Sequence, residues 1–125
     1  MHIRFKDLHG LGAPYIFVHP HKQLAVKHLV DNKPPWVDCI IIFGSALGDH
    51  HFYKKDLDVC IIGENFDKDE PFQYQRHLRL PGIRYDFLTY DTIHDIIDEN
   101  APLGSVERRI SEGGLVVYAK NRHIA

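Results

Sequence analysis

The sequence predicts an α/β (α+β) fold, a small mixed sheet flanked by helices. Three observations point there. Apolar, β-branched segments of strand length recur at Trp36–Phe43, Leu57–Gly63, Ile83–Tyr90 and Leu115–Ala119. Segments with helical spacing alternate with them. Proline and glycine mark the junctions, at Pro34-Pro35, Gly63, Pro81-Gly82 and Gly113-Gly114. With 125 residues the chain suffices for one domain over residues 1–125, its core falling at about 20–119.

The elements follow in order. The first 15 to 18 residues carry the weakest pattern. "PHKQLAVKHLVDN", Pro20 to Asn32, opens on a proline that suits a first helical turn. Leu24, Ala25 and Leu29 against Lys27, His28 and Asp31 make it roughly one-sided. "WVDCIIIF" ends in an unbroken apolar run, the mark of a strand covered on both faces. "LDVCIIG" is a second strand stopped by Gly63. The polar stretch after it holds a loop and a short helix at about Pro71 to Arg79. "IRYDFLTY" is a third strand. Asp91 then reads as the N-cap of a helix over "TIHDIIDEN", with Ile93, Ile96 and Ile97 on its core side. A final helix in "LGSVERRISEGG" ends on Gly113, suited to a left-handed C-terminal position. "LVVYA" closes the sheet.

Composition narrows the function classes. A hydrophobic fraction of 44% and a charged fraction of 26% are ordinary for a globular protein. The formal net charge of −2 gives no bulk attraction to nucleic acid or to a membrane. No apolar run approaches a bilayer span, and "MHIRFKDLHG" lacks an apolar signal core. Cys39 and Cys60 sit inside apolar runs as reduced core thiols. A cytoplasmic protein with no membrane partner is the expectation.

The stretch "CIIIFGSALGDHHFYKKDLDVCIIG" carries the chemistry. Side chains at i and i+2 of a strand share a face, so Asp56 and Asp58 project together, their Cα atoms roughly 6–7 Å apart. Leu57, Val59 and Ile61 then point to the core. In the third strand Arg84, Asp86 and Leu88 share one face and Ile83, Tyr85 and Phe87 the other. If the two strands are neighbours, three carboxylates meet on one surface. Two carboxylates about 4 Å apart repel by roughly 4 kcal/mol at an effective dielectric near 20. Raising an aspartate pKa past neutrality needs a similar energy, so two could share a proton, whereas three make a poor resting arrangement. A divalent cation resolves this, and hard oxygen ligands suit Mg²⁺ with substrate phosphates. At the other end, Gly44 lets the backbone approach a ligand. A short helix starting in "SALGD" would turn free N–H groups toward a phosphate.

These residues resemble the minimal nucleotidyltransferases of the polymerase-β-like superfamily. Its mark is a hydrophobic strand, Gly-Ser, about ten residues, Asp-x-Asp, then a lone acidic residue on a later strand. "IIIFGS", "DLDV" and "YDFL" supply Gly44, Ser45, Asp56, Asp58 and Asp86. "ERRISEGGLVVYA" looks like the glycine, apolar strand and tyrosine that close small family members, so the resemblance spans roughly Trp36 to Ala119. Ala46-Leu47 and Lys55 stand where many members carry an arginine and a serine; Lys54 and Lys55 would then partly replace the missing basic group. The resemblance implies a nucleotidyltransferase palm that moves a nucleoside monophosphate from a nucleoside triphosphate, ATP foremost, to a hydroxyl on a protein, RNA or small molecule. Gly44 and Ser45 would hold the β and γ phosphates. Asp56 and Asp58 would ligate two Mg²⁺ ions, and Asp86 would complete one site or accept the acceptor's proton.

Plainer readings stay open beside it. Asp56 and Asp58 could be a solvated strand entrance, Asp86 an edge-strand charge paired with Arg84, and Gly44-Ser45 a simple turn. The ten histidines show no zinc spacing and read as loop or surface groups, with His50 and His51 near the site. Arg76, Arg79, Arg84, Arg108 and Arg109 are solvated cations or a basic rim for nucleic acid. Minimal family members often work beside a small helical ribonuclease-type toxin. An antitoxin or binding module with weak or no catalysis is therefore the alternative function, and a degenerate nucleotide-binding subunit a third. A homo-oligomer is compatible with so small a sheet.

Overall fold

β-branched residues with a period of two build the centre of the molecule. A computed structural model describes residues 6–7, 20–44, 56–96 and 100–120. Its strands are β1 (Lys6–Asp7), β2 (Val37–Phe43), β3 (Asp56–Gly63), β4 (Arg84–Tyr90) and β5 (Leu115–Ala119). Its helices are α1 (Pro20–Asp31), α2 (Glu70–His77) and α3 (Val106–Gly113). The strands form one mixed sheet in the order β1-β5-β2-β3-β4. β2 runs antiparallel to β3 and β5, whereas β3 and β4 are parallel, as are β1 and β5.

Alternation sends each strand's side chains into two layers. On one face Ile40, Ile42, Leu57, Val59, Ile61, Leu115 and Val117 pack under Ala25, Val26 and Leu29 of α1 and Tyr74 of α2. On the other, Cys39, Ile41, Phe43, Cys60, Ile62 and Val116 pack with Ile96 and with Ile110 of α3. The apolar run of β2 is therefore unbroken because both its faces are covered. Each fully buried isoleucine or leucine contributes roughly 1.5–3 kcal/mol. A register shift between Val37 and Cys39 puts Val37 out of phase, on the α1 side with Ile40 and Ile42.

Two tyrosines fasten α1 to the rest. The Tyr74 hydroxyl donates to the Leu29 carbonyl, and the Tyr85 hydroxyl donates to the Ala25 carbonyl at 3.2 Å. Burial pushes the phenol pKa of Tyr85 up to about 12 and raises that of Tyr74 as well, so both remain protonated donors.

Several expectations need correction. The buried stripe of α1 is Lys22, Ala25, Val26 and Leu29; Leu24 is 67% exposed. The short helix starts one residue before Pro71, at Glu70, and ends at His77. The expected helix over "TIHDIIDEN" is a 3₁₀ turn, Ile93–Asp95, and residues 97–99 lie outside the described residues. Its N-cap is Thr92, whose hydroxyl accepts from the His94 N–H at 3.3 Å, and not Asp91. β-branched Thr92, Ile93 and Ile96 disfavour an α-helix here, since they lose side-chain freedom in helical geometry. α3 begins after Ser105, which caps the Arg108 N–H at 3.2 Å. Its end is not left-handed at Gly113: Gly114 turns out in extended geometry, φ −70° and ψ 153°. Among the described residues no helix is long and apolar enough to cross a membrane.

Candidate functional site

The parallel pairing of β3 and β4 sets the site. Asp56 is opposite Arg84, and Asp58 is opposite Asp86. Partners in parallel register project to the same face, so these four side chains lie on the α3 side of the sheet. Leu57, Val59, Ile61 and Tyr85 point into the α1 layer, as alternation requires. Asp58 is half-buried and Asp86 exposed.

Their environments differ. Burial, then the Asp86 charge, raises the Asp58 pKa; Asp56 adds to the rise, and Lys22 and Arg109 oppose it. Asp56 is diverted: Arg84 Nε donates to its Oδ1 at 2.9 Å. The Asp56 bond and charge hold the Arg84 pKa above its ordinary value. The plainer pairing of Arg84 with Asp86 therefore gives way to Arg84 with Asp56. Sharing a face does not make a cage: among the described residues no three His, Cys, Asp or Glu side chains form a ready metal site.

Gly44 ends β2 beside this surface with φ at +74°. A Cβ there would overlap Asp58 Oδ2 and stand 3.3 Å from Cγ. Glycine is needed twice over, for the left-handed backbone and for the approach of the carboxylate. Ser45, with Ala46, Leu47, His50, His51, Lys54 and Lys55, lies outside the described residues, so the helix expected in "SALGD" does too.

A cavity of about 230 Å³ opens between these groups, with Gly44, Asp58, Asp86 and Arg109 on its wall beside Phe43, Leu88 and Val106. A larger cavity of about 420 Å³ is lined by Gln73, Arg76, His77 and Arg79 and by none of the three carboxylates. The smaller one is the better chemical candidate, because charge of both signs and a bare backbone converge there.

No protein-family model and no curated protein matches the chain.

Two groups escaped the sequence reading. Lys22 is fully buried and donates from Nζ to the Asp56 carbonyl at 2.5 Å. Its signal was available: Lys22, Ala25, Val26 and Leu29 follow the i, i+3, i+4, i+7 pattern, with a charge on the apolar stripe. Arg109 figured only as one of five scattered arginines, yet α3 brings it to the carboxylates. That placement depends on tertiary packing and has no local signature. Cys39 and Cys60 are buried and not joined in a disulfide, and burial raises the Cys60 pKa, which keeps it unreactive.

Proposed function

We propose that the protein is a metal-dependent nucleotidyltransferase with a polymerase-β-like palm, transferring a nucleoside monophosphate from a nucleoside triphosphate to a hydroxyl acceptor. What carries the reading is the registered pair Asp58 and Asp86 with the bare backbone of Gly44 against Asp58. Its motif order and spacing, "FGS" then "DLDV" then "YDFL", supply the rest.

The donor set fits a small hard cation. Asp58 and Asp86 offer carboxylate oxygens on one face; burial, then the Asp86 charge, raises the Asp58 pKa, a cost that a cation relieves. Asp56 joins them once Arg84 lets go. Mg²⁺, two ions with bound nucleotide, supplies charge neutralisation for the attacking and leaving oxygens.

The chain's own groups do the positioning. Gly44, with Ser45, admits the β and γ phosphates to the backbone at the end of β2. Asp58 fixes the α-phosphate side of the site. The acceptor oxygen attacks the α-phosphorus, the bond to the bridging oxygen breaks, and pyrophosphate leaves. Asp86, exposed toward the acceptor side, takes the acceptor's proton and passes it to solvent.

The test is incubation with labelled nucleoside triphosphates, Mg²⁺ and candidate acceptors, followed by mass detection of the added monophosphate. Transfer that disappears in Asp58→Asn supports the reading. Equal transfer in that variant overturns it.

One observation favours a second reading. The Arg84–Asp56 ion pair occupies one of the three carboxylates, which suits a site of weak or no catalysis. The protein would then act as a binding module, an antitoxin for a small helical ribonuclease-type toxin. Neither Mg²⁺ nor ATP would then change its melting temperature, and the helical partner would.

A further inference from the structure

Arg109 stands apart from the neighbouring arginines in how it is used. Arg84 Nε is held by Asp56 at 2.9 Å, and Arg108 Nε by Glu112 at 2.5 Å within α3. Arg109 makes no ion pair among the described residues, although it is one position from Arg108 and lies on the wall of the cavity with Asp58 and Asp86. It is close enough to those groups for its charge to act on the Asp58 carboxyl. An exposed guanidinium beside two acidic groups ordinarily closes on one of them. Here it borders open volume that it shares with the apolar Phe43, Leu88 and Val106 and with the bare backbone of Gly44.

Resting on the nucleotidyltransferase reading, we infer that Arg109 is the phosphate-binding side chain of this site, taking oxygens of the triphosphate from the α3 side. The chemistry requires such a group. Two carboxylates repel a polyphosphate, and a cation between them cancels only part of the charge. A planar guanidinium contributes two parallel donors that match a phosphate edge. The backbone of Gly44 at the end of β2 and the guanidinium of α3 then hold the phosphates between them. α3 thereby becomes part of the binding machinery as well as a cover for the sheet.

Binding of ATP and of inorganic triphosphate, each with Mg²⁺, is measured by calorimetry on the full chain. Arg109→Ala should weaken both ligands by about 10- to 100-fold, the loss of a charge-assisted bidentate contact. Arg109→Lys should recover part of the loss, because charge returns without the fork. Arg108→Ala should bind both ligands as the wild type does. Arg109 is exposed, so the melting temperature of the variants should stay near that of the wild type. Wild-type affinity in Arg109→Ala would overturn this inference and leave the nucleotidyltransferase reading standing. Loss of ATP binding with triphosphate binding retained would also overturn it, by placing Arg109 on the base. Failure of the wild type to bind either ligand would take both readings down together.

Discussion

Arg84 and Asp56 face each other across the β3–β4 register and are joined at 2.9 Å, two residues along from the opposed carboxylates of Asp58 and Asp86. The pair is solvent-exposed, so it contributes little to stability and is easily exchanged for a stronger partner. Its position makes it a gate on the charge of the site. With Arg84 in place one carboxylate is neutralised; with Arg84 gone, three negative charges share a surface. Arg84→Ala should therefore cost less than about 1 kcal/mol of stability. It should tighten Mg²⁺ binding by about two- to five-fold, the equivalent of releasing one exposed ion pair. Calorimetric Mg²⁺ titration of the two proteins checks this; weaker binding in the variant would contradict it.

Asp58→Asn separates function from stability. Transfer should fall by more than about 100-fold, since the group that fixes the reacting phosphate is gone. Without Mg²⁺ the variant should melt higher at neutral pH, because the fold disfavours the ionised carboxyl. The gain should stay below about 1 kcal/mol, the group being half-exposed and its repulsion screened. Its pH dependence has a definite sign. The Asp58 pKa lies above its ordinary 3.8 in the folded state. Between 3.8 and the folded value the native protein holds the extra proton, so this group's contribution to stability falls as pH rises through that window. Melting curves of wild type and variant should therefore converge as pH drops to 3.8 and below. A gap of constant size at every pH would show that the Asp58 charge is not its source.

Gly44→Ala meets two obstacles at one atom. The left-handed φ of +74° costs a non-glycine residue about 1–2 kcal/mol, and the new methyl overlaps Asp58 Oδ2. A stability loss of roughly 1–3 kcal/mol is expected from denaturant unfolding. Mg²⁺ affinity should fall too, as Asp58 is pushed aside. A variant with native stability and metal binding would mean that the end of β2 relaxes freely.

Lys22→Met keeps the length of a buried side chain and deletes its charge. The Asp56 carbonyl loses its 2.5 Å partner, and Asp58 loses a positive charge that opposes its raised pKa. Stability should drop by roughly 1–3 kcal/mol. The pH window in which Asp58 titrates should move upward, readable by carboxyl chemical shifts in nuclear magnetic resonance spectra. An unshifted Asp58 titration would show that the lysine acts on the strand alone.

The sheet was legible in the sequence because alternation and β-branching act locally. Val37–Phe43 and Asp56–Gly63 needed no knowledge of neighbours to be read as strands. The placement of Asp56, Asp58 and Asp86 on one face followed from the same period of two, once β3 and β4 proved adjacent. The two-residue β1 was not legible, for so short a pairing has no periodicity of its own. Leu24 and Thr92 show where local reasoning misled. An apolar residue on a helix can face solvent, and a competent N-cap one residue on displaces the obvious one. Lys22 was readable as a charge on the apolar stripe of α1, whereas the place of Arg109 arises only when α3 has packed on the sheet, a long-range outcome that no local spacing encodes.

The spacing of Asp58 from Asp86 is dictated by main-chain hydrogen bonding between adjacent strands, not by how the core beneath them is filled. Drift among the aliphatic residues under α1 and α2 should consequently leave the distance between these acids almost untouched. An ancestor could have rebuilt its interior many times over while handing down the same acidic doublet.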